Sequence, residues 1–200
     1  MPNNSAIGLR AHSGWAAIVV VSGLPPAVTL LDRRIIEIAD AGIRGSRQPY
    51  HAAENLRFPE AEQLIGRCIS RTNEMAHEAL GSLIKDLRQQ GHEPTRCGLL
   101  LSSGRPLPKL KAVLASHALI HSAEGEMFRE ALRLAARRSK LSVTEIRERE
   151  LIQTCSATLG IPEAGLQGHL SELGKRAGPP WRQDQKYATL AAWLALAGGG

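Results

Sequence analysis

Ile7-Gly-Leu-Arg-Ala-His12, Ser13-Gly14, Trp15-Ala-Ala-Ile-Val-Val-Val21 reads as two strands joined at a turn. The first run alternates short apolar and polar side chains, the period of a strand. The second is continuous and β-branched, as a strand buried on both faces requires. Gly23-Leu-Pro-Pro26 stops it, and Val28-Thr-Leu-Leu-Asp-Arg-Arg-Ile-Ile-Glu-Ile-Ala39 supplies a third run. The gap between second and third is too short for a crossover, so the economical reading is three antiparallel strands in a row.

Beyond that block the period changes. Asp40 to Leu56 is a loop rich in glycine and polar residues, without obvious structure of its own. Pro59, Glu60 and Glu62 then mark a helix start. Apolar residues from Ala61 through Cys68 and Leu80 to Leu87 recur at helical spacing, and Gly91 caps the end. Cys97 to Ser102 reads as a buried strand. Helical pattern follows over Lys109–His121 and Glu124–Lys140, with a break expected near Ser122, although one helix or two remains open. Leu141–Ile146 alternates like a strand. Three closing helices are expected at Glu148–Leu159, Pro162–Leu173 and Asp184–Ala197, with a rigid Gly/Pro loop from Gly174 to Trp181.

Composition bounds the class. The chain has 200 residues, 43% hydrophobic and 22% charged, which suits one globular domain spanning 1–200 that folds without disulfide or metal staples. Cys68, Cys97 and Cys155 are far apart and form no CxxC pair, which excludes a zinc ribbon and a thioredoxin-type motif. They read as reduced thiols in a cytoplasmic protein. No signal peptide is visible, and the apolar runs at 16–21 and 189–197 are too short to cross a bilayer, so no membrane partner is expected. The net charge of +6 favours an anionic partner, nucleic acid being the most obvious.

The order of elements over residues 7–197, a three-strand meander, a long helix, a strand, helices, a strand and closing helices, resembles the ribonuclease H-like fold. Its closing section looks most like the Holliday-junction resolvase branch. The text as a whole is also similar to a bacterial family, a likeness that brings no function with it. The resemblance implies an α/β domain with a mixed sheet of about five strands flanked by helices. Active members of this group use carboxylates to hold two divalent metals for phosphodiester cleavage, since hard cations prefer oxygen ligands. The carboxylate expected in the first strand is missing from Leu9-Arg-Ala-His12-Ser-Gly-Trp15. The one expected after the strand that follows the long helix is missing from Leu101-Ser-Ser-Gly-Arg105. At the final helix Asp184 is present. The resemblance therefore implies a degenerate domain that binds nucleic acid or a phosphorylated ligand without two-metal cleavage. His12, Ser13, Ser103, Arg105 and Asp184 would gather at one end of the sheet. Arg105 would meet phosphate, and His12 or Asp184 would position a metal, water or sugar hydroxyl.

Two other constellations compete. His117 and His121 stand four apart and share a helical face; with Glu124 they have the spacing of a His/His/carboxylate site for a divalent metal, although HExxH is absent. His51 and Glu54 lie in the long loop, where the histidine could act as general base oriented by the acid. Together these groups suit a metal- or histidine-dependent hydrolase or phosphotransferase. The plain alternative is a pair of histidines on a helix and an isolated surface histidine. A third reading is a non-catalytic homodimer packed through Asp184–Ala197 or Lys109–His121. Arg129, Arg133 and Arg137 share a helical face, but interleaved glutamates favour a solvated face over a nucleic-acid track. Trp181-Arg182 and Lys186-Tyr187 could stack a base, with packing of Trp181 over its Gly/Pro corner the alternative. GxxxxGK[ST], GxGxxG and GxSxG do not occur.

Overall fold

The computed structural model describes residues 3–102 and 106–198. Strands β1 (Asn3–His12), β2 (Trp15–Ser22) and β3 (Thr29–Glu37) form the expected antiparallel meander. After α1 (Pro49–Ala53) and α2 (Phe58–Gln89), β4 (His92–Leu101) returns parallel to β1. Helices α3 (Leu110–Leu114) and α4 (His117–Arg138) lead to β5 (Ser142–Arg147), parallel to β4. The sheet order is β3-β2-β1-β4-β5. One 3-10 turn (Glu148–Glu150), α5 (Leu151–Leu159), α6 (Glu163–Ala177) and α7 (Gln183–Ala197) close the chain. No helix among the described residues is long and apolar enough to cross a membrane.

Strand alternation sends successive side chains to opposite faces. Ile7, Leu9, Ile18 and Val20 pack with Leu80, Leu83, Phe128 and Leu132 of α2 and α4. Ala6, Val19 and Val21 turn the other way, to Leu151, Leu166, Leu170 and Trp193 of α5, α6 and α7. Cover on both faces explains why β2 is a continuous apolar run rather than an alternating one.

Gly8 and Gly98 face each other across β1 and β4. A Cβ on Gly8 would stand 1.8 Å from the Ala188 carbonyl oxygen, and one on Gly98 2.1 Å from that of Ala191. The backbone of α7 thus lies directly on the two central strands, an approach that only glycine permits. This seat brings the first turn of α7 to the carboxyl end of β1.

Three segments depart from the sequence reading. The helix break falls at Ala115–Ser116, not near Ser122. Ser122 Oγ instead donates back to the Ala118 carbonyl at 3.0 Å, so its hydroxyl is satisfied inside a continuous helix. The segment 40–56 is not structureless, because it contains α1, and Asp40 ties it down by accepting from the Gly42 N–H and Arg71 Nε. Helix α6 runs through Gly174 to Ala177. That glycine is a packing residue: a Cβ there would meet Trp181 Cδ1 at 2.3 Å.

Candidate functional site

Strands β1, β4 and β5 are parallel, so their carboxyl ends meet along one edge of the sheet. In open α/β sheets the crevice outside those ends is where ligands bind. Arg10 and His12 follow Gly8 at intervals of two and therefore emerge on the α7 face. The Arg10 guanidinium donates to Glu148 twice, Nη2 to Oε1 at 2.7 Å and Nε to Oε2 at 3.2 Å. Its Nη1 donates to Asp184 Oδ1 at 2.5 Å. Its Cζ stands 5.0 Å from the centre of the Tyr187 ring, close enough for cation–π attraction. His12 Nε2 lies 2.8 Å from Asp184 Oδ1. The His12 ring stacks at 4.0 Å on Trp15, its partner across the β1–β2 pair.

Each anchor has a local reason. Glu148 opens the 3-10 turn directly after β5. Asp184 sits in the first turn of α7, where the helix dipole favours a carboxylate. The Arg182 backbone N–H donates to Gln185 Oε1 at 2.9 Å and secures that helix end. Partial burial on its own would lower the Arg10 pKa, but the contacts to Glu148 and Asp184 outweigh it and hold the pKa above the ordinary arginine value. Arg10 is therefore a permanent cation between two acids. Beside it opens a cavity of about 480 Å³ lined by Leu101, Ser102, Glu148, Arg149 and Tyr187.

Of the residues expected at this end, His12 and Asp184 come together. Ser13 is exposed at the β1–β2 turn. Ser103 and Arg105 lie outside the described residues. Arg10 and Glu148 were not among the expected site residues. The available signal was a charged residue in a strand whose neighbours are apolar, since charges in such positions are normally paired. The arginine face of α4 is not a free basic track. Arg129 pairs with Glu126 at 3.1 Å, and Arg133 with Glu145 at 2.5 Å and with Glu130. Trp181 packs on Gly174 and donates Nε1 to the Leu170 carbonyl at 2.9 Å.

A second cluster forms where α1 meets α4. His117 and His121 share one face of α4, and His51 of α1 completes a triangle of rings with centroids 5.1, 4.5 and 4.6 Å apart. His117 Nε2 and His121 Nε2 are 3.1 Å apart. Glu124 lies behind them, with only 3% of its side chain exposed. Its Oε1 accepts from the His51 backbone N–H at 3.1 Å and lies 2.9 Å from His51 Nδ1, without hydrogen-bond alignment to that ring nitrogen. Burial, followed by this carboxylate, raises the pKa of the adjoining Tyr50. Glu54 is exposed just beyond α1. The acid against His51 is thus Glu124, and Glu124 stands behind the histidines rather than beside them.

No protein-family profile matches the chain, and no curated protein matches it in sequence. Solved structures match it in shape. RuvC of T. thermophilus in complex with a Holliday junction substrate superposes with a TM-score of 0.55 and 10% identity, covering 96% of this chain and 92% of that one. A second structure, of Thermus thermophilus RuvC, gives 0.54 and 10%, with 96% and 93% covered. At that identity the likeness is one of fold, and it extends over nearly the whole of both chains: this chain has the ribonuclease H-like fold in its RuvC-like form.

Proposed function

We propose that this chain binds nucleic acid at the carboxyl end of its sheet and does not cleave it by two-metal chemistry. A phosphorylated small ligand shares the chemistry of recognition and is the other occupant to test. The observation that carries the reading is the position of Arg10. A two-metal centre needs carboxylates free to ligate hard cations. Here Glu148 and Asp184 are both ion-paired to one guanidinium, which cannot be deprotonated and fills the space between them. The acids serve to hold an arginine.

Three features favour an anionic polymer as the occupant. The net charge of +6 assists encounter. Arg149 lines the cavity next to Tyr187, and the stacked His12–Trp15 pair offers aromatic surface at the same edge. The fold neighbour above was solved with a Holliday junction substrate.

Fluorescence anisotropy on branched, duplex and single-stranded DNA and RNA, at two salt concentrations with and without Mn²⁺, tests the proposal. Binding that falls steeply with salt, with intact strands on a denaturing gel, is the expected result. Mn²⁺-dependent cleavage would show that metal displaces Arg10. Failure to bind any of these polymers at low salt removes the nucleic-acid reading, and competition by phosphorylated nucleosides then tests the small ligand.

A further inference from the structure

The histidine cluster stands apart from the Arg10 centre and does not depend on the nucleic-acid reading. We infer that His51, His117 and His121 form a binding site for a divalent transition metal of the zinc class, with Glu124 as a positioning residue for His51.

One ring nitrogen from each of the three histidines lies within 4.8 Å of the others. Around a tetrahedral ion with bonds of about 2.0–2.1 Å, ligand nitrogens stand roughly 3.3–3.4 Å apart. The His117–His121 separation of 3.1 Å is already close to that value. The third comes from a different element, 66 positions earlier than His117, so helix periodicity does not account for its arrival. Imidazole nitrogen suits zinc, copper and nickel better than magnesium or calcium.

Glu124 supplies what a histidine-ligated metal usually requires behind it, a carboxylate against the ring nitrogen that does not bind. It holds His51 through the backbone N–H and stands 2.9 Å from Nδ1, which leaves Nε2 as the nitrogen to ligate. Its negative charge also offsets a cation placed in the first turns of α4, where the helix dipole alone would oppose one. His117 and His121 are exposed, so a three-nitrogen site here keeps a fourth position open to water or another ligand.

Chelator-treated full-length protein titrated with Co²⁺, followed by displacement with Zn²⁺, tests the site. One equivalent of Co²⁺ with the visible absorption of tetrahedral coordination is expected. His117→Ala and His121→Ala alter exposed side chains, should keep the circular dichroism of the parent, and should each weaken Co²⁺ by more than about 100-fold, beyond the usual cost of losing an outer partner. Glu124→Gln should weaken it by about 10–100-fold. His77→Ala, on an exposed position of α2, should change nothing. Absence of the one-equivalent species in the parent overturns the inference, as does its survival in the His117→Ala/His121→Ala double variant.

Discussion

The Arg10 centre and the histidine triangle meet the problem of charge in opposite ways. At the carboxyl end of the sheet, two carboxylates converge on one guanidinium, and the chain itself provides the cation that balances them. Between α1 and α4, three imidazoles converge in front of a buried carboxylate, and the described residues supply no cation among the rings. The first centre is closed by its own arginine, whereas the second has the donors of a site and an open front. Analogy of fold directs attention to the first. The inventory of donors and acceptors directs it to the second, which shows how little a fold says about where its chemistry sits.

The largest effect should come from breaking the first region while leaving the second in place. Gly8→Ala puts a Cβ into the Ala188 carbonyl and forces α7 off the sheet, taking Asp184 away from Arg10 and His12. A loss of roughly 3 kcal/mol or more is expected, the upper end for overpacking, because the obstructing atom is backbone. Urea unfolding at unchanged slope measures it. Thiol labelling localises it. Burial pushes both Cys97 and Cys155 up to about 12, so both should label slowly at neutral pH in the folded parent. Cys155 Sγ contacts the Leu190 carbonyl of α7 at 3.5 Å, while Cys97 packs on the opposite face with α2 and α4. In Gly8→Ala, Cys155 should become reactive first. Equal reactivity of the two thiols would mean that the faces do not yield separately.

Arg10→Ala should come next, and it converts the first kind of region into the second. It leaves Glu148 and Asp184 partly buried without their shared cation. A cost of about 1–3 kcal/mol is expected, between the limits for exposed and buried pairs. Added Mn²⁺ should restore part of that loss in the variant, by binding only the folded form, and do little for the parent. If Mn²⁺ stabilises both equally, Arg10 is not occupying a cation's place.

How much of this was legible follows from which interactions are local. The meander was readable because Trp15–Val21 and its neighbours carry their burial in residue type and period. The α4 boundary was not, because a serine at 122 reads as a helix breaker unless its back-bond to Ala118 is known. Gly174 misled for the related reason that its purpose is a tryptophan seven residues on. At the first centre, the sequence pointed to His12 and Asp184 but saw Arg10 only as a missing acid, since pairing across 138 and 174 positions leaves no trace in spacing. At the second, His117 and His121 were visible as an i, i+4 pair, while the approach of Glu124 to His51 leaves no trace in spacing.

That last contact gives the smallest and most discriminating prediction. Sequence proximity chose Glu54 to orient His51, three residues away on the same short segment. The structure brings Glu124 to within 2.9 Å of the ring from 73 positions away and leaves Glu54 in solvent. Glu54→Gln removes an exposed charge, so its stability should stay within about 0.5 kcal/mol of the parent. Its Co²⁺ affinity should also be unchanged, in contrast to Glu124→Gln, because an exposed carboxylate in high dielectric has little hold on a neighbour's orientation. A fall in Co²⁺ affinity for Glu54→Gln that matches the Glu124 variant would return the orienting role to the local acid. The second region would then be a surface cluster shaped by short-range charge, and the contrast with the buried pairing at Arg10 would be lost.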